Sequence, residues 1–307
     1  MAYSKSSSRN TSVYDVVTDQ IIALLEQGQI PWRKSWSTVP AQNYASKTIY
    51  RGINSLLLNS LGYTYARRAK PYFLTFNQAK KLGGSVRKGS KSFIVTYWLK
   101  AYYDSTTRAE LTKEEARLRP SSEVISRCLL RYYRVFHYTD VKGIDFKIAE
   151  NLPLHLPERR MLEHGWHLYQ YMPNPPELRS QVQQAYYHPL QDYVNMPDIN
   201  SFDSVKSYLH VFYHELIHST GHISRLTREA ITEPQPFGSW SYSKEELVAE
   251  LGSAFLMQER KLAGEEIIQG SAAYIQGWLR ALKNDKRLVV EASSLAQKAA
   301  DYITRNC

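Results

Sequence analysis

The sequence is poor in cysteine, with only Cys128 and Cys307 among 307 residues. A disulfide framework is therefore not expected, and a reducing cytoplasm is the expected setting. No run approaches the ~20 apolar residues that a membrane helix requires. The polar N-terminus also lacks the apolar core of a secretory signal. We expect no membrane partner, and a composition that is 43% hydrophobic and 22% charged predicts a globular protein.

Acidic residues are scarce in the first third of the chain. Residues 1–100 contain 15 Lys and Arg against three acids, whereas residues 101–307 contain 24 against 26. The formal net charge of +10 is therefore concentrated at one end. This distribution indicates two units with different partners, and a polyanion is the natural partner of the basic unit.

The hydrophobic pattern predicts an α+β protein of two domains: a basic α+β domain and a mainly helical domain with a small sheet. Thr11 or Ser12 can cap the first helix, and Gly28 can end it. Thr75 can cap a short helix that stops at Gly83. A basic hairpin leading into a strand is expected over 86–98, a solvated and partly helical insertion over 100–127, and a returning strand over 131–138.

Five prolines between residues 151 and 178 mark the domain boundary. The predicted organisation is a flexible N-terminus (1–10), a basic domain (11–145), a linker (146–165) and a second domain (166–307). Helical patterns in the second domain cover about 202–220, 243–262, 270–284 and 288–305.

The strongest chemical signal is the segment His214-Glu215-Leu216-Ile217-His218. On a helix, residues i and i+4 lie on one face, so both imidazoles can hold one zinc ion at ~2.0–2.1 Å. Glu215 can accept the proton of a water that attacks a carbonyl and deliver it to the leaving amine. A helix with two structural histidines is the competing interpretation.

Catalytic zinc usually takes a third protein ligand. The metzincin pattern would place a histidine six residues after His218, but Ser224 stands there and excludes that option. A carboxylate on the next helix is the alternative. We expect Glu246 to be the metal ligand, as in the gluzincin arrangement that this segment resembles.

In the gluzincin arrangement, an acid four residues after the ligand supports a ligand histidine. The resemblance therefore implies that Glu250, on the same helix face as Glu246, supports His214 or His218. Glu245 is the rival ligand if Glu246 instead forms a capping box with Ser243. A solvated run of charge is the competing interpretation of all three acids.

An amide substrate also requires a group that stabilises the oxyanion. His222, Tyr242 and Arg225 are the candidates, and the sequence does not choose among them. The aromatic segment 186–197 predicts either an edge strand beside the metal helix, which aligns the substrate in zincins, or an ordinary loop.

Aromatic and basic residues alternate through the first domain. Cations can follow phosphates while aromatic rings stack on unpaired bases, which a duplex hides. The pattern therefore predicts binding of single-stranded nucleic acid, and the alternative is that the aromatics form the core. The predicted contact residues are Trp32, Arg33, Lys34, Trp36, Tyr44, Lys47, Tyr50, Arg51, Arg87, Lys88 and Lys91.

Several longer motifs resemble the ArdC antirestriction family. PWRKSW, NYASKTIYRGINSLLL, TFNQAKKLGGSVRKGSKS and YRVFHYTDVKGI resemble its N-terminal single-stranded-DNA-binding domain, which TraC-type plasmid primases share. HELIHSTGHISRL, FGSWSYSKEELVAELGSAFL and AAYIQGWLRALKND resemble its zincin-like C-terminal domain. The resemblance implies a protein of mobile elements that shields incoming DNA from restriction.

The expected function is therefore an antirestriction protein that binds single-stranded DNA and holds Zn²⁺, or another divalent transition metal, at a peptidase-type site. The alternatives are a non-catalytic DNA-binding protein with a structural metal, and an SprT-like protease that acts on DNA-bound proteins. Either protease hypothesis implies a protein substrate that the sequence does not identify.

Overall fold

The computed structural model describes residues 12–33, 39–62, 65, 70–148, 157–233, 239–260, 262 and 271–306. The predictions for residues 1–10, Lys34 and Trp36 lie outside these ranges. Within them, no helix is both long and apolar enough to cross a bilayer.

Helix α1 (Val13–Glu26) opens the first domain. Ser12 and Asp15 form a reciprocal capping box, so the predicted start is confirmed. Gly28 follows the helix end with a φ of +73°, a left-handed conformation that glycine adopts readily. The buried face of α1 includes Val17, Ile21 and Leu25.

The strands of the first domain are β1 (Gln42–Asn43), β2 (Tyr72–Leu74), β3 (Ser85–Val86), β4 (Ser92–Asp104), β5 (Glu110–Leu111), β6 (Val124–His137) and β7 (Val141–Lys142). Five of them form one sheet in the order β1-β2-β6-β4-β5. Short helices also lie among these strands in the described part of the domain: α2 (Ile53–Leu57), α3 (Phe76–Lys81), capped by Thr75 as predicted, and α4 (Lys113–Leu118).

Strands β4 and β6 form a long antiparallel arm, paired from Ser92 with Phe136 to Asp104 with Val124. The strand predicted over 131–138 is confirmed, but the expected basic hairpin is wrong because β3 pairs with β7 instead. The insertion expected over 100–127 is largely exposed and partly helical, as predicted, with α4 near its middle, but the sequence did not predict that its two ends form the outer part of this arm. An arm exposed on both sides lacks the apolar face by which a strand is usually recognised.

The second domain contains α5 (Glu158–Tyr171), β8 (Glu177–Arg179), β9 (Tyr186–His188), β10 (Tyr193–Asn195), α6 (Val205–Ser219), α7 (Glu229–Thr232), α8 (Trp240–Glu259), α9 (Ala272–Asn284) and α10 (Leu288–Ile303). The four helices predicted near the C-terminus are confirmed as α6, α8, α9 and α10. Strand β10 is central in the three-stranded sheet, between β8 and β9.

Helix α5 begins at Glu158, within the segment predicted to be a linker over 146–165. The linker prediction is therefore wrong for its second half. Pro157, one of the prolines that suggested a loop, directly precedes the helix, where proline needs no helical hydrogen-bond donor.

The two domains share one hydrophobic core. Ile21 and Trp32 of the first domain belong to the same buried cluster as Trp278 and Val289 of the second. The rings of Trp32 and Trp278 meet edge to face, with centroids 5.7 Å apart. The basic domain is therefore packed directly against the helices of the second domain.

Candidate metal centre

Helix α6 presents two histidines on one face. Ser204 caps the helix, accepting a hydrogen bond from the Ser207 N–H. His214 and His218 lie one turn apart, and their Nε2 atoms are 3.1 Å from each other. The rest of the helix is anchored in the core through Leu209, Phe212, Leu216 and Ile217.

Helix α8 brings Glu246 to both imidazoles. Its Oε2 is 3.6 Å from Nε2 of His214, and its Oε1 is 3.7 Å from Nε2 of His218. Ligand atoms around a tetrahedral zinc ion stand about 3.3–3.4 Å apart when each bond is ~2.0–2.1 Å. The three side chains therefore fit zinc in both donor type and spacing, and they are the one such cluster in the part of the chain that the structure describes.

A glycine sets the distance between the two helices. A Cβ on Gly252 would lie 2.6 Å from Cδ1 and 3.0 Å from Cγ2 of Ile217, so only glycine permits this approach without a shift. The neighbouring Ser253 hydroxyl donates a 2.7 Å hydrogen bond to the carbonyl of His210 on α6. These contacts hold Glu246 within reach of the histidines.

Helix α8 begins earlier than the sequence predicted. Ser239 rather than Ser243 is its cap and accepts a hydrogen bond from the Tyr242 N–H. Glu246 therefore lies in the body of the helix, and the capping box expected with Ser243 is wrong. Its carboxylate is left to face the two histidines.

Glu245 supports His218 from the side opposite Glu246. Nδ1 of His218 lies 3.1 Å from Oε1 of Glu245, so the ring can donate there and leave Nε2 for a metal. Arg228 donates two hydrogen bonds to Glu245, at 2.6 and 2.9 Å, and further ones to Thr220 and the Ile217 carbonyl. Burial raises the pKa of Glu245, but His218 and Arg228 outweigh it and lower the pKa.

The supporting role expected for Glu250 is wrong. Glu250 follows Glu246 by one turn, but it accepts hydrogen bonds from Arg33, at 2.5 Å, and from the Tyr274 hydroxyl, at 2.9 Å. The Arg33 guanidinium also stacks on the Tyr274 ring, 4.1 Å from its centroid. The acid that supports His218 is Glu245, which Arg228 binds. Arg228 lies outside every motif noted in the sequence, so residue spacing did not predict this contact.

An open cleft of about 540 Å³ reaches the two histidines and Glu246. Glu215 is buried in its wall, next to His214. Strand β9 contacts α6 and borders the cleft through Tyr186 and Tyr187. Of the two interpretations of segment 186–197, the edge strand holds for its first part, since β9 pairs only with β10 among the described strands, whereas β10 in the same segment is the central strand.

The carboxylates make this cleft favourable for a cation. Burial opposes a charge on His214, but the hydrogen bond with Glu246 and the charges of Glu215 and Glu250 raise its pKa to about 9. Burial raises the pKa of Glu246, but the two histidines lower it by more, so its pKa lies below the usual value. Burial and the Glu246 charge raise the pKa of the Tyr242 hydroxyl to about 12.

Of the three oxyanion candidates, only Tyr242 borders the cleft. Arg225 has a fully buried side chain and binds both carboxylate oxygens of Asp192 at 2.8 Å, so the expectation for Arg225 is wrong. The His222 ring is engaged by the Ser224 hydroxyl, 2.8 Å from Nδ1, and lies outside the cleft wall.

Three of the expected DNA contacts are occupied inside the protein. Trp32 is 2% exposed and Tyr50 is 6% exposed, so neither ring is free to stack on a base. Arg33 is paired with Glu250. These three assignments are wrong, because alternating aromatic and basic residues do not reveal which rings form the core.

The other expected DNA contacts within the described residues lie at the surface. Lys47 Nζ stands 4.0 Å over the partly exposed Tyr44 ring. Arg51 forms an ion pair with Asp301 of α10. The exposed cations Arg87, Lys88 and Lys91 cluster between β3 and β4.

Each of the two domains matches a known protein family. Residues 174–295 match the family described as zincin-like metallopeptidase, and residues 11–136 match the N-terminal domain of anti-restriction factor ArdC. The fold and the site therefore define a two-domain α+β protein that joins an ArdC-type domain to a zincin-like metallopeptidase domain.

Two crystal structures of the antirestriction ArdC protein from the R388 plasmid are similar to the whole chain. The metal-free and Mn(II)-bound structures are each 34% identical and cover 96% of this chain, with TM-scores of 0.72 and 0.71. The match covers 97% and 98% of those chains. The chain belongs to the ArdC antirestriction family, which confirms the resemblance seen in its motifs.

Curated relatives include the uncharacterized protein y4eC of Sinorhizobium fredii, 31% identical over 99% of this chain and 95% of that protein. Two DNA primase TraC proteins of Escherichia coli are 30% and 31% identical over 94% of this chain. The chain spans only 20% and 27% of their lengths.

Proposed function

We propose that the chain protects incoming DNA of a mobile element from host restriction. Its first domain binds single-stranded DNA without sequence preference, and its second carries a metal-dependent peptidase-type site. The observation that carries the enzymatic part is the convergence of His214, His218 and Glu246 beside Glu215 in an open cleft. Family membership supports the antirestriction role, and the excess of cations in residues 1–100 supports a nucleic-acid partner.

His214, His218 and Glu246 would hold the metal. Two imidazoles and one carboxylate at tetrahedral spacing favour zinc, and the Mn(II)-bound R388 structure makes another divalent transition metal the alternative. A bound cation of this kind polarises a substrate carbonyl and lowers the pKa of a water.

The protein groups around the cleft have complementary roles. Glu215 accepts a proton from water and returns it to the leaving amine. Tyr242 stays protonated at neutral pH and can donate a hydrogen bond to the oxyanion. The edge of β9 that no described strand pairs with offers backbone groups to an extended peptide.

A Glu215→Gln variant tests the enzymatic role, with fluorescently labelled, denatured casein as the probe. We expect it to bind one equivalent of zinc and to hydrolyse the casein at least about 100-fold more slowly than the wild-type protein. His214→Ala should lose both zinc and hydrolysis. Undiminished hydrolysis by Glu215→Gln would overturn the proposed role of Glu215.

A non-catalytic protein with a structural metal is less well supported. Structural zinc is usually bound by four protein ligands, whereas three cluster here among the described residues and a cleft opens beside them. Antirestriction that survives in Glu215→Gln, together with no hydrolysis by the wild-type protein, would favour this alternative.

A protease that acts on DNA-bound proteins is the second candidate. The shared core favours it, because Ile21 and Trp32 of the first domain pack into the domain that carries the metal site. A substrate bound to the same DNA would be held near the cleft. Hydrolysis of a single-strand-binding protein that rises when oligothymidylate is added would support this candidate, and hydrolysis indifferent to DNA would count against it.

A further inference from the structure

The β4–β6 arm carries an open surface on one of its two faces. Directly paired residues, and alternate residues along one strand, share a face of a sheet. Closer to the sheet this face is core, since Phe93, Val95 and Val135 are buried there. Beyond Val95 it opens to solvent. We call the open part the Tyr97 face, formed by Tyr97, Leu99, Arg127, Leu129, Arg131 and Tyr133.

Two aromatic rings on the Tyr97 face are uncovered. Tyr97 is 45% exposed and Tyr133 is 38% exposed. Their centroids are 6.0 Å apart and their planes are tilted by 48°. Neighbouring rings of this kind can each stack on an unpaired base.

The charge on the Tyr97 face has one sign. Arg131 lies across from Tyr97, and Arg127 lies across from Ala101. Both arginines are exposed. The first acid on this side is Glu110, which pairs with Tyr103 nearer the tip and marks the end of the cationic surface.

Trp32 and Tyr50 of the first domain are buried. Side chains that form the core cannot also stack on DNA. Of the six aromatic side chains that are at least 36% exposed in the described part of the first domain, four lie on this arm. They are Tyr97, Trp98, Tyr132 and Tyr133.

We propose that the Tyr97 face is a docking surface for single-stranded DNA. Tyr97 and Tyr133 stack on bases, and Arg131 contacts a phosphate. The cationic charge selects a polyanion, and the uncovered rings select unpaired bases over a duplex. This proposal rests on the DNA-binding part of the proposed function and gives it a location.

Fluorescence anisotropy with the full chain tests this surface. The probe is an oligothymidylate of about 20 nucleotides, longer than the ~4–16 nucleotides that single-strand binding folds usually cover. Tyr97→Ala and Tyr133→Ala should each weaken binding about fivefold or more, with an unchanged salt dependence. Arg131→Gln should reduce the slope of log K against log salt by about 0.7, the share of one phosphate contact.

Trp98→Ala is the matched control, because Trp98 is the next residue on the same strand, is 53% exposed and points to the opposite face. It should change affinity by less than about twofold. Thermal melting of every variant checks that the arm still folds, and Tyr97→Phe should retain affinity because it keeps the ring.

The outcomes separate this surface from the function on which it rests. A wild-type protein that does not bind the oligonucleotide would overturn DNA binding itself. Wild-type binding with unaffected tyrosine variants, or an equal loss in Trp98→Ala, would overturn only the Tyr97 face. Equal affinity for a duplex would overturn stacking. A Tyr97→Ala variant that turns a dimer into a monomer in light scattering, with DNA affinity unchanged, would show a contact between copies instead.

Discussion

Arg33 and Glu250 form an ion pair between the two domains, with the guanidinium Nη2 2.5 Å from Oε1. Glu250 lies on α8, one turn beyond Glu246, and its side chain is 6% exposed. Burial raises the pKa of Glu250, but the hydrogen bond and charge of Arg33 lower it below the usual value. The basic domain is thus joined directly to the helix that presents Glu246.

Replacing Arg33 by Met should destabilise the protein. Among the described residues, the substitution leaves the buried Glu250 carboxylate with the Tyr274 hydroxyl as its one remaining hydrogen-bond donor, and breaking such a pair costs about 3 kcal/mol. Urea denaturation measures the change in the free energy of unfolding. The double variant Arg33→Met/Glu250→Gln should recover part of the loss, and strictly additive effects would show that the pair is not coupled.

Glu245→Gln should weaken zinc affinity about 10- to 100-fold, because it removes the charge that supports the Nδ1–H of His218. Competition with a chromophoric chelator measures the affinity. Glu250→Gln should have the smaller effect, since Glu250 contacts Arg33 rather than a histidine. Glu163→Gln, at an exposed position on α5, is the control and should have none. Equal losses for Glu245 and Glu250 would contradict the supporting role.

Gly252→Ala should lower both stability and zinc affinity. The added Cβ would meet Ile217 at 2.6 Å, and overpacking of this kind costs about 1–3 kcal/mol, more than the gain in helix propensity. Gly277→Ala is the matched control, because nothing lies within 4 Å of its Cβ and the helix should gain up to about 1 kcal/mol. Thermal denaturation and zinc titration test both variants. A stabilised Gly252→Ala would show that α6 and α8 can separate freely.

Acid should destabilise the fold through His137. Burial lowers its pKa from 6.5 to about 4, so between these values the unfolded chain binds the proton more readily than the folded chain. The contribution of His137 to the free energy of unfolding is therefore complete above pH 6.5 and decreases as the pH is lowered. The expected decrease between pH 8 and pH 5 is about 2 kcal/mol. His137→Gln removes that dependence. Urea titrations of both proteins at the two pH values measure the difference, and parallel losses would contradict the prediction.

The helices of the second domain could be predicted because their apolar faces recur with the helical period and their caps are local. The acid that supports His218 could not be predicted in this way. Glu245 and Glu250 both lie near Glu246 in sequence, and the difference between them depends on Arg228 and Arg33, which both lie outside α8. No spacing rule within α8 contains that information.

The first domain shows the same limit. Trp32 and Tyr97 stand in similar mixtures of cations and aromatics, yet one is core and the other exposed. What separates them is the packing of the 31–33 segment against α9, while the β4–β6 arm extends beyond the core. A local sequence pattern shows which side chains a segment contains, but tertiary packing determines which of them are exposed and able to bind a ligand.

Anomalous diffraction at the zinc edge, from crystals of the zinc-loaded protein, tests the metal centre most directly. We expect one peak within about 2.0–2.2 Å of Nε2 of His214, Nε2 of His218 and a carboxylate oxygen of Glu246. Glu245 should remain on Nδ1 of His218. A peak bound by Glu245 or Glu250 in place of Glu246, or one remote from both histidines, would contradict this assignment.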